Sequence, residues 1–261
     1  MAGKKIGLAL SGGGARGFAH VGAIRAFEAN GIYFDCIAGT SAGSLVGAAL
    51  ATGMTAADIE AMARRLGWLN TMRPSFAVGG MLSTAPLARV LRRELPVQRF
   101  EGLAIPFAAI TYDVVKGEEF VWKDNGDLVS AVRASCAVPG IFAPIKLDGR
   151  ILVDGGVTSV LPVDAVRAMG ADVVISVDLL SCGNTYSSVP RTGFGIMIRS
   201  AMTQIRMGSI DQRRRSDIII EPAISHIRPD QIRRGDELIE LGERAVLERI
   251  DEIADLVTEQ L

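Results

Sequence analysis

The first fifty residues contain the same arrangement twice: a short apolar run, a glycine-rich turn and an apolar helical segment. A strand that passes through a tight turn into a helix is the building unit of a parallel sheet, because two parallel strands need a crossover connection between them. The repeated unit therefore predicts an α/β fold. The strands are predicted at residues 5–10 and 34–38, the turns at 12–14 and 39–43, and the helices at 16–29 and 44–52.

The rest of the chain continues this pattern. Residues 171–177 and 218–220 are uninterrupted apolar runs, which are typical of strands covered on both faces. Residues 107–112 and 119–122 are rich in β-formers and predict a hairpin. Beyond this local strand-turn-helix repetition the chain has no long internal sequence repeat and no low-complexity linker, so we expect one α/β/α domain over residues 1–261. Further helices are predicted at 58–66, 86–95, 197–207 and 237–257.

Composition excludes several classes of protein. Hydrophobic residues make up 49% of the chain, so it is not a disordered one. The 28 basic and 29 acidic residues give a net charge of −1, and this balance provides no field that would attract nucleic acid. The one basic cluster, residues 213–215, is interpreted as a solvated helix end, although a pure binding module remains an alternative. The apolar stretches at residues 6–10 and 35–58 are too short or too weakly apolar to cross a membrane.

Cysteine and histidine are scarce. Cys36, Cys136 and Cys182 are odd in number and far apart, which argues against a disulfide framework and against a thiolate metal site. We interpret them as buried thiols in a reducing compartment. The chain has only two histidines, His20 and His226, so any mechanism that needs an imidazole must use one of them.

The second glycine turn has the sequence of a nucleophile elbow. Gly39-Thr40-Ser41-Ala42-Gly43 matches G-x-S-x-G, and it lies between a β-like run and a helix, as the motif requires. Glycines are needed on both sides of the serine because side chains there would collide with the turn. Ser41 is therefore the candidate nucleophile; the alternative is an ordinary glycine-rich turn with an N-capping serine.

The first glycine turn, Gly12-Gly13-Gly14-Ala15-Arg16-Gly17, has two functional interpretations. Its backbone N–H groups at a helix start favour negative charge, so it could form an oxyanion hole for an intermediate on Ser41. It also matches G-x-G-x-x-G, the fingerprint of a nucleotide-dependent oxidoreductase. That fingerprint expects an acidic residue at the end of the second strand, whereas Asp35 precedes the apolar run. We therefore favour the oxyanion hole.

Asp154 follows the apolar residues 151–153 and precedes Gly155 and Gly156. A serine hydrolase needs a base, and with so few histidines a carboxylate is a candidate for that role. The alternative is an α/β-hydrolase triad of Ser41, Asp154 or Asp178, and His226. Only about forty residues precede Ser41, too few for the several strands that usually precede the nucleophile of that fold.

Taken in this order, the motifs resemble those of the patatin-like phospholipases, in particular compact bacterial members related to the catalytic domain of neuropathy target esterase. The resemblance spans nearly the whole chain and includes residues 135–144 and 161–164. One departure lies after the Asp-Gly-Gly, where many members carry Asn-Pro and this chain has Ser159 and Val160. The resemblance implies a patatin-like fold of three α/β/α layers with a central, mostly parallel sheet.

It also implies site roles and a substrate class. Ser41 would be the nucleophile and Asp154 the base that acts on it directly, without a metal or another cofactor. Gly12, Gly13 and Gly14 would supply the oxyanion donors, and Arg16 would support their loop. The substrates would be phospholipids, lysophospholipids or neutral acyl lipids. Separately, the lack of a segment that could cross a membrane predicts a cytoplasmic protein, peripheral to the inner membrane where it meets lipid. Independently of the resemblance, the apolar side chains of residues 68–81 lie on an irregular segment, which predicts a lid or a substrate rim; the alternative is a buried loop.

Overall fold

The computed structural model describes residues 4–66, 73–74, 80–183, 190 and 192–258. The strands are β1 Ile6–Leu10, β2 Cys36–Thr40, β3 Arg73–Pro74, β4 Gly80–Ser83, β5 Phe107–Asp113, β6 Glu118–Trp122, β7 Gly140–Phe142, β8 Ile145–Leu147, β9 Arg150–Asp154, β10 Val173–Val177 and β11 Ile218–Ile220. The α-helices are α1 Phe18–Ala29, α2 Ala42–Ala51, α3 Ala56–Arg65, α4 Ala85–Glu94, α5 Leu128–Ser135, α6 Val163–Ala168, α7 Gly193–Gly208, α8 Ile210–Arg214, α9 Gly235–Leu247 and α10 Ile250–Thr258. Short 3-10 helices include Gly14–Gly17 and Gly155–Val157.

Eight of the described strands form one sheet in the order β11-β10-β1-β2-β5-β9-β8, with β6 added to β5. The five strands from β11 to β5 are parallel, whereas β9 runs antiparallel to β5. Because β1 and β2 are parallel neighbours, the turns that follow them lie at the same edge of the sheet. The register also brings the end of β9 to that edge, since Thr40 pairs with Ile110 and the next residue, Thr111, pairs with Asp154.

Both faces of β1, β2 and β10 in the middle of this sheet are buried, which explains why these strands are mainly apolar. On one face, alternate residues such as Leu8 and Ile175 belong to a large core that also contains Ala23 of α1 and Leu238 of α9. On the other face, the intervening residues of the strands, Ala9 among them, pack with α6. The three-layer α/β/α arrangement predicted from the sequence is confirmed.

The helix α1, which leads away from the first glycine turn, packs directly against α9. A Cβ atom on Gly22 would lie 1.9 Å from the carbonyl oxygen of Ile239, and one on Gly242 would lie 2.0 Å from that of Ala19. Only glycine permits two helix backbones to approach this closely. The contact fixes the direction of α1 and therefore the position of the turn at its start.

Most predicted elements are present, including the hairpin formed by β5 and β6. The single helix predicted at 237–257 is wrong: the chain forms α9 and α10, separated by Glu248 and Arg249. At this break Arg249 donates from its side chain to the carbonyl of Ile219 in β11, 3.1 Å away. The predicted second strand is displaced towards the elbow, because hydrogen bonding to β5 continues to Thr40. The predicted lid at 68–81 lies mainly outside the described residues.

Candidate active site

Ser41 lies at the sharp turn between β2 and α2. Its backbone has φ 54° and ψ −120°, a left-handed conformation that a non-glycine residue rarely adopts. The flanking glycines are needed for close backbone contact: a Cβ on Gly39 would lie 2.3 Å from the carbonyl oxygen of Gly43, and one on Gly43 would lie 2.1 Å from that of Leu10. The G-x-S-x-G sequence therefore forms the strained strand-to-helix turn that the motif predicts.

Asp154, the last residue of β9, is beside Ser41 and only 6% exposed. Its Oδ1 accepts a 2.8 Å hydrogen bond from the N–H of Gly156, whereas Oδ2 is buried without a hydrogen bond of regular geometry. Burial raises the pKa of Asp154 to about 6, and interactions with the Ser41 hydroxyl and the Gly156 N–H offset part of the rise. The carboxylate is thus a stronger base than an exposed aspartate and is close to the serine.

Three consecutive residues at the C-terminal end of α5, residues 135–137, hold Ser41 and Asp154 together. The Oγ of Ser135 accepts a hydrogen bond from the N–H of Ser41 (2.8 Å), and the thiol of Cys136 donates to the carbonyl oxygen of Ser41 (3.3 Å). The carbonyl oxygen of Ala137 accepts from the N–H of Asp154 (3.0 Å). Burial and the nearby Asp154 charge raise the pKa of Cys136 to about 12, so its thiol remains protonated and able to donate. The sequence motif at 135–144 gave no indication of these individual contacts.

The first glycine turn faces the same site, but its three glycines differ. The N–H of Gly12 already donates to the carbonyl oxygen of Val160, 3.0 Å away. Within the described part of the chain, the N–H groups of Gly13 and Gly14 have no such acceptor. Gly14 has φ +58°, and a Cβ on it would lie 2.7 Å from the carbonyl oxygen of Pro229. The N–H of Gly12 is thus already engaged in this structure, whereas those of Gly13 and Gly14 are the better candidates for oxyanion donors; the role of Gly12 stays a prediction.

Arg16 anchors this turn from behind. It is fully buried, and its guanidinium donates to the carbonyl oxygens of Ile227 (2.8 Å), Leu179 (3.0 Å) and Gly183 (3.4 Å). The Nε and Nη donors of an arginine have a fixed planar geometry, so several simultaneous bonds restrict the position of the backbone that carries it. The arrangement is that expected of a residue that supports the loop.

Ser159 and Val160, which replace the Asn-Pro of many patatin-like sequences, take part through their backbones. The hydroxyl of Thr40 donates to the carbonyl oxygen of Ser159 (2.7 Å), and Gly12 donates to that of Val160, as described above. A carbonyl acceptor does not depend on the side chain of its residue. Ser159 and Val160 can therefore connect both glycine turns to the segment after Asp154 even though their side chains differ from Asn and Pro.

Ser41, Asp154 and the glycine turn open into one cavity of about 740 Å³. A volume of this size is in the range of small-molecule sites, and its walls are mainly apolar. The aliphatic and aromatic side chains that line it come from several elements and include Leu45, Val46, Leu87, Val138, Ile141, Phe142, Leu180, Phe194, Ile198, Met202, Ile205 and Ile232. The arrangement could hold an acyl chain with its carbonyl group near Ser41.

The alternatives considered from the sequence receive no support from these positions. His226 is exposed, is not part of the cavity wall, and its Nε2 lies 3.0 Å from Glu237. His20 is buried behind the glycine turn with Nε2 2.8 Å from the Ser11 carbonyl oxygen, and burial lowers its pKa to about 4. Asp35, which precedes the first residue of β2, accepts from the N–H of Ile6 at the start of β1 (2.7 Å), at the opposite end of β2 from the position that a ribose would require. Asp178 is fully buried and lies 3.4 Å from Arg213.

The arginine run at 213–215 is paired with carboxylates. Arg213 pairs with Glu221, Arg214 lies 3.3 Å from Asp211, and Arg215 lies 2.6 Å from Asp164.

The three cysteines are free thiols, but only Cys36 is buried as expected. Cys136, which lines the cavity, and Cys182, which lies beside Arg16, are half-buried, contrary to expectation. Neither feature supplies a second cluster of reactive groups.

Two further properties concern ligands and membranes. Among the residues that the structure describes, no three His, Cys, Asp or Glu side chains come together as a metal site would require. In the same residues, no helix has both the length and the apolar character needed to cross a bilayer.

Comparison with known proteins gives a consistent result. The family model described as patatin-like phospholipase matches residues 8–167. An uncharacterised NTE family protein of Mycobacterium tuberculosis is 36% identical over 178 residues, which cover 67% of this chain and 49% of that protein. Patatin-like phospholipase domain-containing protein 6 of Homo sapiens is 34% identical over 195 residues, which cover 71% of this chain and 14% of that protein. The chain thus spans about half or less of the length of these relatives.

Solved structures show the same fold at low sequence identity. VipD from Legionella pneumophila superposes with a TM-score of 0.58 at 16% identity, covering 96% of this chain and 67% of that one. ExoU, in its heterodimeric complex with SpcU from the type III secretion system of Pseudomonas aeruginosa, gives a TM-score of 0.55 at 18% identity, covering 96% and 52%. At this identity the likeness concerns the fold alone.

Proposed function

Because the chain belongs to the patatin-like phospholipase family, we propose that it is a serine acyl hydrolase that cleaves carboxyl esters of lipids with a Ser41–Asp154 dyad. The observation that carries the proposal is the position of Ser41 on a strained turn beside a buried carboxylate whose pKa is raised to about 6. Such a carboxylate is ionised at neutral pH, yet it accepts a proton more readily than an exposed aspartate.

The first half of the proposed reaction forms an acyl-enzyme. Asp154 takes the proton of the Ser41 hydroxyl as Oγ attacks the acyl carbonyl carbon, and the carbonyl oxygen becomes an oxyanion. The N–H groups of Gly13 and Gly14 donate to that oxygen, while Arg16 keeps their loop in place. When the C–O ester bond breaks, Asp154 passes the proton to the departing alcohol, leaving an acyl group on Ser41.

The second half uses the same residues with water. Asp154 removes a proton from a water molecule, the resulting hydroxide attacks the acyl carbonyl, and the oxyanion again meets the two glycine donors. The proton returns to Ser41 Oγ as the fatty acid leaves. No imidazole and no metal ion takes part in either step. The apolar wall of the cavity would exclude bulk water and hold the acyl chain.

The decisive experiment is covalent labelling with a fluorophosphonate, which reacts with activated serines. The wild-type protein should be labelled on Ser41, as mapped by mass spectrometry, and should hydrolyse acyl esters. Ser41→Ala should lose both properties, whereas Ser200→Ala, which changes an exposed serine, should retain them. Labelling that persists in Ser41→Ala would remove Ser41 as the nucleophile.

A further inference from the structure

One face of α7 forms a wall of the cavity and carries two arginines. Ile198, Met202 and Ile205 line the cavity at helical spacing, and Arg199 and Arg206 lie on the same face two turns apart. No residue of this 16-residue helix is fully buried. This set, called the α7 wall below, therefore combines an apolar surface with cationic groups that a ligand can reach.

The described carboxylates that line the cavity do not pair with Arg206. Among the described residues, the acidic side chains that line the cavity are those of Asp154, the proposed base, and Asp230. Asp230 is engaged by Arg228, at 2.8 Å and 2.5 Å from the two guanidinium nitrogens. For Arg206, which is half-buried, no carboxylate lies within 4.0 Å among the residues that the structure describes. The arginines at 213–215, only two turns further on, all have such partners.

Arg206 also lies on the oxyanion side of the cavity. A Cβ on Gly183 would be 3.3 Å from its Nη1, so the guanidinium lies against that glycine. The carbonyl oxygen of Gly183 is one of the three acceptors of Arg16, which anchors the glycine turn. Gly183 thus lies between Arg206 and Arg16, and Arg16 in turn anchors the loop that would hold the reacting carbonyl.

We propose that Arg206, with Arg199 beside it on the α7 wall, binds the phosphate group of a glycerophospholipid or lysophospholipid whose ester is presented to Ser41. The inference rests on the proposed function and adds the residue that distinguishes phosphate-bearing esters from neutral ones. Guanidinium groups bind phosphate oxygens through paired, charge-assisted hydrogen bonds, and burial beside an apolar wall strengthens them. Both arginines lie beyond residues 8–167, so the matched family motifs do not assign them.

If Arg206 had a purely structural role, its replacement would have a different effect. Arg206 lies in the last turn of α7, where a cation interacts favourably with the helix end. That interaction stabilises the protein whatever the substrate is. A phosphate site, in contrast, must affect phosphate-bearing esters selectively and act mainly through KM.

The test compares two soluble esters with the same acyl chain, a lysophosphatidylcholine and a monoacylglycerol, in wild type, Arg206→Gln, Arg206→Lys and the control Arg214→Gln. In Arg206→Gln we expect kcat/KM for the phosphate ester to fall about tenfold or more, through KM, with that for monoacylglycerol unchanged. Arg206→Lys should recover part of the loss, and Arg214→Gln should resemble wild type. Equal losses on both esters, or no loss on either, would overturn the inference.

Binding measurements separate this inference from the proposed function. Calorimetric titration of Ser41→Ala with an ether-linked lysophosphatidylcholine, which cannot be hydrolysed, should show binding that weakens about tenfold in Ser41→Ala/Arg206→Gln. If wild type cleaves neither ester but this difference is found, the proposed hydrolysis fails and the phosphate site stands. If both esters are cleaved without the difference, the phosphate site fails. Inhibition by inorganic phosphate that depends on Arg206, without preference for the phosphate ester, would identify a site for the free anion and contradict a head-group site.

Discussion

The backbone N–H of Ser41 donates a 2.8 Å hydrogen bond to the hydroxyl oxygen of Ser135. The strained turn at Ser41 leaves this N–H outside the bonding of β2 and α2, so another group must accept its hydrogen. Ser135 is fully buried at the end of α5, and the two residues that follow it bond to Ser41 and Asp154. One short segment therefore sets the distance between the proposed nucleophile and its base.

Replacement of Ser135 by alanine should damage both stability and turnover. Ser135→Ala leaves the partly buried N–H of Ser41 unsatisfied, and loss of the partner of such a group typically costs about 1–3 kcal/mol in the free energy of unfolding. We expect the strained turn to relax and fluorophosphonate labelling of Ser41 to slow. Urea unfolding and labelling rates measure the two effects. Ser135→Thr retains the hydroxyl and should restore labelling; if it does not, the hydrogen bond is not the cause.

The activity should depend on pH through Asp154. Since burial raises its pKa to about 6, the carboxylate is protonated and unable to act as a base below that pH. We expect kcat/KM to rise as pH increases through about 6 and then to level. A profile on a soluble ester tests this, and Asp154→Asn should be slower by orders of magnitude at every pH. An acid limb near pH 4 would show that the carboxylate is not desolvated in the working enzyme.

The same burial should make Asp154 destabilising. A pKa raised from 3.8 to about 6 means that the folded protein holds this proton more tightly than the unfolded chain does, so stability is lost as pH rises through that range. We expect Asp154→Asn to be more stable than wild type by up to about 3 kcal/mol at pH 8, with the difference vanishing below about pH 4. Urea unfolding at pH 8 and pH 4 gives the comparison. Equal stability at both values would contradict it.

The two histidines distinguish a dyad from a triad. His226→Ala removes only an exposed side chain paired with Glu237, and His20→Gln keeps a donor for the Ser11 carbonyl. If Asp154 acts directly on Ser41, the double variant should retain most of its turnover per folded molecule. A triad would instead lose several orders of magnitude when its base is removed. Circular dichroism verifies folding, and a loss confined to His226→Ala in folded protein would favour the triad.

A pair of glycine substitutions separates backbone strain from loss of the oxyanion site. Gly14 and Gly31 have φ +58° and +67°, so alanine at either position should cost about 1–2 kcal/mol in stability. Only Gly14→Ala brings a Cβ within 2.7 Å of the Pro229 carbonyl oxygen; nothing lies within 4 Å of Gly31. We expect kcat to fall by about a hundredfold in Gly14→Ala and to remain normal in Gly31→Ala. Similar kcat values in the two variants would argue against Gly14 as a donor.

The fold could be predicted largely from local sequence, because strand, turn and helix residues alternate along the chain and the turns need glycine. The position of Asp154 beside Ser41 could not be predicted in this way. It depends on β9 running antiparallel to β5 in a register that ends beside Thr40, and pairing between strands so distant in sequence has no local signature. The break between α9 and α10 has the same origin, since Arg249 bonds to β11 rather than to a nearby residue.

The residues of the candidate site could likewise be predicted only in part. G-x-S-x-G and the glycine run are local motifs, so Ser41 and its loop could be selected from the sequence alone. The different roles of Gly12 and Gly13 depend on Val160, which is far away in the chain. Arg206 lies in no motif, and the 135–144 segment does not indicate what the hydroxyl of Ser135 binds; both side chains acquire their contacts only from the groups that folding brings beside them.

The bonds of Arg16 have a consequence for the order of events during synthesis. Its carbonyl acceptors at Leu179 and Ile227 lie 163 and 211 residues further along the chain, and Ala15 donates to Pro229 (2.7 Å). A ribosome therefore produces Ser41 and Asp154 well before the groups that fix the glycine turn. Until residue 229 has emerged, the nascent chain has a serine and a carboxylate but no anchored donors. The distance in sequence between one arginine and its partners thus places completion of the glycine turn among the last events of folding, after both members of the proposed catalytic pair have been made.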